Sequence, residues 1–231
     1  MSSARNEKTG LSGAEEFVMQ PGDERLTTAI LSDSLDVVGL RNQVLERRLT
    51  PVVAGSRSFG RATTVQFSPS LEFDEDDPYR DAINFIDSVR PGQVVVVATA
   101  QSNASAFWGE LFSAAAKGAG AVGVITDGNV RDTDKIEAVG FPAFALSHRP
   151  IDFRGRMRVV AAHEAVTLFG VQIMQGDLVM ADDDGVVVIP QSHEDEVLGL
   201  ARTRASSEST VLAELLAGET LSTVWDRHRV L

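Results

Sequence analysis

Arg131 and Asp132 stand side by side just past the segment Thr126-Asp127-Gly128-Asn129. A guanidinium is a planar fork that clamps a carboxylate through two hydrogen bonds. An aspartate is a hard oxygen ligand suited to Mg2+ or Mn2+. Adjacent in the chain, the two could hold an anionic substrate over a divalent cation. An Arg-Asp dipeptide after a turn also makes an ordinary surface salt bridge, and on these two residues alone that is the commoner case. Glu110 lies twenty-one positions before Arg131. The helix expected to start beside it would offer unpaired backbone N–H groups at its positive end, another place for an anion.

The elements that must position these groups fall within the 27 residues from Ala106 to Asp132. Trp108-Gly109-Glu110 precedes a run of good helix formers, Leu111 to Lys117, which Gly118 and Gly120 are suited to stop. Ala121-Val122-Gly123-Val124-Ile125 reads as a short buried strand. Thr126 to Asn129 is then a turn signal, with Arg131 and Asp132 just beyond it. Chemistry in α/β sheets collects near the carboxyl ends of strands, and the pair is expected at such an end. Gly118-Ala119-Gly120-Ala121-Val122-Gly123 fits G-x-G-x-x-G, but in the order helix, glycines, strand. A dinucleotide site needs strand, glycines, helix, so these glycines serve a helix stop and close packing.

Composition bounds the alternatives. The 231 residues are 43% hydrophobic and carry a formal charge of −12. That charge argues against a nucleic-acid surface and suits simple solubility. With no cysteine, neither a disulfide nor a thiol nucleophile is available. Met1 to Gly22 is polar and lacks the apolar core of a signal peptide. No apolar run approaches the roughly 18 residues of a membrane span. The expectation is a cytoplasmic protein with no nucleic-acid or membrane partner. A flexible N-terminal segment over 1–22 would precede one α/β domain over 23–231 ending in helices.

The rest of the chain reads as scaffold. Thr27 or Thr28 caps a helix to about Val38, stopped by Gly39, with Asp33, Ser34 and Asp36 along it. Pro51 to Gly55 and Ala62 to Phe67 read as strands. Leu71 to Pro78 is an acidic, solvated loop. Tyr79 to Val89 is an amphipathic helix. Gln93 to Ala98 is a central strand by its continuous apolar character. A short helix spans Asp134 to Val139, and Phe141 to Ala145 is extended. Arg158 to Pro190 is strand-rich, with Asp182, Asp183 and Asp184 as turn formers. Ser192 caps a helix to Leu216, and a second short helix holds Leu221, Val224 and Trp225. The four histidines lack metal-ligand spacing.

Five segments, taken together and in order, resemble the RraA-like family, which includes 4-hydroxy-4-methyl-2-oxoglutarate aldolases. They are Ser32 to Asp36, Trp108 to Leu111, Asp127 to Asp132, Gly140-Phe141-Pro142, and Gly176 to Val179 with Asp182 to Pro190. The resemblance spans roughly residues 25 to 225 and implies the swivelling β/β/α fold. It also implies a metal-dependent pyruvate aldolase. Arg131 would bind the pyruvate carboxylate and Asp132 would ligate Mg2+ or Mn2+. Gly109, Glu110 and the backbone amides of Leu111 and Phe112 would hold the substrate. The aldolases carry Asp where Glu110 stands, so the carboxylate is kept one methylene longer. By the same resemblance the chain forms homotrimer rings or a homohexamer. A neighbour's acidic residue completes the site, with Glu208 the candidate by its Arg204-x-x-x-Glu208 setting. Oxaloacetate decarboxylation would follow from the same enolate chemistry. The family also includes non-catalytic regulators that bind a ribonuclease or another protein. Lys135 stands where the inhibitor branch carries an acidic residue.

Overall fold

Alternate side chains of a β-strand point to opposite faces. In Gln93–Ala98, Val95 and Val97 enter one hydrophobic core while Val94, Val96 and Ala98 enter another. A strand apolar on both faces needs cover on both sides, and the rest of the fold supplies it.

The computed structural model describes residues 17–72 and 74–230. In chain order its elements are α1 (Thr28–Val37), β1 (Thr50–Pro51), β2 (Ser58–Pro69), α2 (Arg80–Asp87), β3 (Gln93–Ala98), β4 (Ala106–Trp108), α3 (Glu110–Gly118), β5 (Gly123–Val130), α4 (Thr133–Val139), β6 (Ala143–His148), β7 (Met157–Ala162), β8 (Val166–Leu168), β9 (Val171–Ile173), β10 (Leu178–Ala181), β11 (Val186–Ile189), α5 (Glu194–Leu216) and α6 (Leu221–His228). The main sheet runs β1-β6-β5-β3-β2-β10-β11, with β4 added beside β5 and β7 beside β2. Strands β2, β3, β5 and β6 are parallel neighbours. Helices α2, α3 and α4 pack on one face through Phe85, Ile86, Ala116 and Ile136. The β8-β9 hairpin covers the other face through Val166, Leu168, Val171 and Ile173. Helices α1 and α5 close the β10-β11 end. The result is the layered β/β/α arrangement expected from the resemblance.

Sequence expectation and structure agree over most elements. Thr27 caps α1, its side chain accepting from Ile30 N. The glycine run does order as helix, glycines, strand, and Gly120 takes φ 87° with Pro91 packed against it. Of the expected N-terminal segment, residues 1–16 lie outside the described residues, and Phe17 packs edge-on against Phe59.

Several local expectations change. Pro51 belongs to a two-residue strand, Val52 N still donates to Ala143 O of β6, and Val53 to Gly55 leave the sheet in a turn. Ser192 does not cap α5; its hydroxyl pairs with His193 Nδ1, and no side chain caps the helix. Asp182 does make the turn before β11, but it also accepts from Thr28 N at 2.9 Å and Thr28 Oγ1 at 2.6 Å. It thereby ties the start of α1 to that turn.

The largest correction concerns Thr126 to Asn129, which is not a turn. These residues are the buried second half of β5. Asp127 accepts from Thr99 N at 2.6 Å, Thr99 Oγ1 at 2.8 Å and Gln101 N at 2.8 Å. That carboxylate holds Ala100 and Gln101, both in the left-handed region at φ 53° and 59°. Such a conformation costs a side-chain-bearing residue about 1–2 kcal/mol. At Gly128 a Cβ would fall 2.7 Å from the Phe107 ring. Asn129 Nδ2 donates to Ser105 O at 3.0 Å. Turn-forming residue types are used here to bolt the loop after β3 and the short strand β4 onto β5.

Candidate active site

Because β5 runs on to Val130, Arg131 and Asp132 stand directly at its carboxyl end. Strand β4 pairs with that end, Trp108 opposite Val130, and Arg131 N donates to Trp108 O at 2.9 Å. Helix α3 begins two residues after Trp108. Its start is therefore held beside Arg131 by backbone pairing. Buried Trp108 fixes the first turn from within, its Nε1 donating to Ser113 Oγ at 2.8 Å.

Gly109 is the hinge of this arrangement. A Cβ there would lie 2.9 Å from Asp132 Oδ2 and 3.1 Å from Arg131 Cγ. With glycine there, both functional groups fold over the helix start without having to shift. Gly109 also leaves α3 without a side-chain cap. An uncapped first turn keeps the N–H groups of Glu110, Leu111 and Phe112 available to an anion.

Asp132 precedes α4 in the left-handed conformation, φ 56° and ψ 42°, and makes no capping bond to that helix. Aspartate tolerates this region better than most residues. The cost sits where strained backbone tends to collect, beside exposed chemistry. Arg131 Nε lies 3.7 Å from Asp132 Oδ2, with the two side chains 37% and 38% exposed. On its other side, Arg131 Nη1 lies 3.7 Å from Asp152 Oδ2. Asp152 also accepts a short hydrogen bond from the Tyr79 hydroxyl. Burial, and then that bond to Asp152, raise the Tyr79 phenol above its ordinary pKa, so Tyr79 stays a donor. Glu110 is engaged by Lys135, whose Nζ lies 3.2 Å from Glu110 Oε2. The bond to Glu110, foremost, raises the Lys135 pKa.

Of these groups, Tyr79, Glu110, Arg131 and Asp132 line one cleft of about 530 Å3, with Asp152 and Lys135 outside its wall. Its wall includes Gly109, Glu110, Leu111, Phe112, Arg131 and Asp132, so the structure brings six of the seven sequence-derived site residues together. Tyr79, Ile83, Phe107, Trp108 and Phe153 complete most of it. Glu208 is not among them. It lies on α5, 2.8 Å from Arg204, whose guanidinium also reaches Asp33 at 2.6 Å. Within this chain Glu208 therefore serves an ion-paired contact between α1 and α5. Tyr79 and Asp152 were not anticipated as site residues. Tyr79 is the chain's single tyrosine and directly follows the acidic loop, a faint signal. Asp152 carried none, because only the fold brings its loop against Arg131.

The donor set fits some cations and not others. Among the described residues no group of three His, Asp or Glu gathers as a metal cage. That is not the donor set of a closed structural Zn2+ site. Mg2+ commonly takes one or two carboxylates and fills its octahedron with water and substrate oxygens. Asp132, uncapped and at the cleft, suits that mode.

A profile of the RraA-like family, Aldolase/RraA, matches residues 28–188. The chain belongs to this family. A curated relative from Halalkalibacterium halodurans, provisionally named a 4-hydroxy-4-methyl-2-oxoglutarate aldolase, is 28% identical over 183 residues, 79% of this chain and 81% of the relative. Protein DlpA of Legionella pneumophila is 29% identical over 196 residues, 84% of this chain, but the chain spans only 31% of DlpA. Among solved structures, an uncharacterised protein of Pseudomonas syringae superposes with a TM-score of 0.78 at 30% identity, covering 88% of this chain and 94% of that one. Streptomyces coelicolor RraAS2, described as an unusual member of the RNase ES inhibitor RraA protein family, gives 0.70 at 29% identity over 80% of this chain and 91% of that one. Relatives of this RraA-like chain thus bear names from both an enzyme class and a regulator class.

Proposed function

We propose that this RraA-like chain is a divalent-metal-dependent carbon–carbon lyase that cleaves a 4-hydroxy-2-oxo acid to pyruvate and a second carbonyl compound. The observation that carries it is the convergence of Arg131 and Asp132 over Gly109 at the uncapped start of α3. One element offers a carboxylate fork, one a hard oxygen ligand, and one a set of backbone donors, all at a single cleft. The provisional aldolase name of the Halalkalibacterium relative points the same way.

In this mechanism Arg131 and the N–H groups of Leu111 and Phe112 hold the substrate carboxylate. They fix the 2-oxo end and place positive potential beside the charge that develops on cleavage. Asp132 would hold the Mg2+ or Mn2+, which when bound supplies Lewis acidity at the 2-keto oxygen. A base removes the 4-hydroxyl proton, the C3–C4 bond breaks, and its electron pair leaves on C3 as an enolate. The carbonyl forms at C4, and protonation at C3 gives pyruvate. Glu110, relayed by a water, is the chain's candidate for that proton. Its pairing with Lys135 holds the carboxylate near the cleft mouth. A homotrimer or homohexamer would let a neighbour add an acidic residue, Glu208 being the candidate. Oxaloacetate decarboxylation would use the same enolate stabilisation.

The test is pyruvate release from 4-hydroxy-4-methyl-2-oxoglutarate and from oxaloacetate, with Mg2+ and with chelator. Metal-dependent turnover that vanishes in Arg131→Ala is expected. Unaltered turnover in that variant would sink the proposal. A ribonuclease-binding regulator is the second reading, favoured by the likeness to RraAS2. It expects no turnover of any 2-oxo acid, with ribonuclease inhibition that persists in Arg131→Ala.

A further inference from the structure

Arg131 stands between two carboxylates and is hydrogen-bonded to neither. Its Nε lies 3.7 Å from Asp132 Oδ2 and its Nη1 lies 3.7 Å from Asp152 Oδ2, both beyond the roughly 3.2 Å reach of a hydrogen bond. A guanidinium and a carboxylate gain most by closing into two parallel hydrogen bonds. Asp152 has not closed on Arg131, and its oxygens are engaged elsewhere. Oδ2 accepts the short bond from the Tyr79 hydroxyl, and Oδ1 accepts from Arg154 N at 3.3 Å. The backbone there is pinned as well. Ile151 O accepts from Ala106 N at 2.6 Å, Asp152 bridges to Ala106, and Asp152 O accepts from Arg156 Nη1 at 3.1 Å.

The phenol is held in place for this contact. Tyr79 directly precedes α2, its carbonyl accepts from Ile83 N at 2.9 Å, and its ring packs edge-on against Phe153 at 5.5 Å. Three arginines surround Asp152, and they meet it differently. Arg154 reaches the carboxylate through its backbone N, with its charge also bearing on Tyr79. Arg156 reaches the backbone carbonyl. Arg131 presents its guanidinium to the carboxylate itself. All of these contacts are made within one chain.

We infer that Tyr79 is a positioning residue that keeps Arg131 open to its ligand: by occupying Asp152 Oδ2, the phenol hydroxyl stops that carboxylate from closing on the guanidinium, and the fork keeps its donors for an incoming carboxylate. Asp152, held at 3.7 Å, orients Arg131 without consuming it. This rests on the lyase reading for the identity of the incoming group, the carboxylate of the 2-oxo acid.

Tyr79→Phe keeps the ring and its packing and removes the hydroxyl alone. Calorimetric titration of the full chain in Mg2+ with oxalate, a planar mimic of the pyruvate enolate, reads the Arg131 end without requiring turnover. Tyr79→Phe is expected to bind oxalate several-fold more weakly, with KM rising by a similar factor and kcat nearly kept. Adding Asp152→Asn should return the affinity to within about two-fold of the unmodified protein, because a neutral amide competes poorly for a guanidinium. A hydroxyl that served packing alone predicts a double variant as weak as Tyr79→Phe or weaker, and that result overturns the proposal. So does undiminished oxalate binding in Tyr79→Phe, the result expected if the freed carboxylate turned to Arg154 instead. Oxalate binding that Arg131→Ala abolishes, in a chain that turns over no 2-oxo acid, overturns the lyase reading and leaves the role of Tyr79 standing on the binding data. Oxalate that fails to bind the unmodified chain, or binds Arg131→Ala equally well, overturns both.

Discussion

Asp127 and Asp132 sit five residues apart at the end of one strand, and they do opposite things. Asp127 is 1% exposed and surrounded by donors from Thr99 and Gln101. Asp132 caps nothing, adopts a left-handed backbone, and leaves over a third of its side chain to solvent. Both carry the same functional group, so residue type does not separate them. The difference is whether the fold consumes the carboxylate's hydrogen-bonding capacity. A satisfied buried carboxylate is fixed in a structural task. An unsatisfied one at a cleft remains available for a ligand.

Removing each carboxylate is the sharpest way to break the comparison. Asp132→Ala is expected to lower metal-dependent pyruvate release by about 10²–10³-fold, the loss typical of removing one preorganised electrostatic contact. Its thermal midpoint should fall only slightly, since the side chain makes no hydrogen bond to the described fold and the loss is what alanine gives up to aspartate in the left-handed region. Gly109→Ala tests the same end sterically. The added Cβ, 2.9 Å from Asp132 Oδ2, must push that carboxylate or Arg131 aside. A displacement of that kind costs on the order of 10²-fold in turnover. Unchanged kcat in this variant would show that the two groups need not converge over the helix start.

Asp127→Asn should reverse the pattern. An amide cannot accept on both of its terminal atoms, so a buried donor of Thr99 or Gln101 is left unpaired. A loss of about 1–3 kcal/mol in unfolding free energy is expected from denaturant melts, with kcat per folded molecule retained. Tyr79→Phe should be milder. It frees Asp152 from its hydrogen bond and loosens the side of Arg131 away from Asp132. A several-fold rise in KM exceeding any fall in kcat is expected, because Arg131 binds the carboxylate in both ground and transition states.

The smallest effect concerns pH. Burial raises the Asp127 pKa, and the donors from Gln101 and Thr99 only partly offset this. With the folded pKa above the unfolded one, protonation favours the fold. The residue's contribution to stability is fullest below its ordinary value of about 3.9 and is lost as pH rises through the raised folded value. The stability gap between the unmodified protein and Asp127→Asn should therefore widen as pH falls. A gap independent of pH would place the carboxylate's titration elsewhere.

Much of this was legible in the chain. Continuous apolar character marked β3 as a strand covered on both faces, because burial on both sides leaves no polar positions. The spacing of apolar residues gave α1 and α2. The order of glycines after α3 excluded a dinucleotide site. Thr126 to Asn129 misled, since Thr, Asp, Gly and Asn favour turns when water must satisfy them. Here the loop after β3 and the Phe107 ring supply the partners and the close contact, and the strand continues. Ser192 misled for a related reason, its hydroxyl having a nearer partner in His193.

From local periodicity the sequence by itself settled a layered α/β domain, and from residues adjacent in the chain an Arg-Asp pair beyond a buried strand. The β/β/α architecture and the family were legible only through the five segments that resemble the RraA-like family. Only the tertiary structure decided that Gly109 lies under that pair, that Asp152 and Tyr79 stand behind Arg131, and that Glu208 is ion-paired on another face. Apart from the Arg204–Glu208 pair, which is one helical turn long, these are contacts between residues distant in sequence that no local pattern encodes. Pairing of β4 with β5 brings them into register, and the lack of a single Cβ at position 109 leaves room for the meeting.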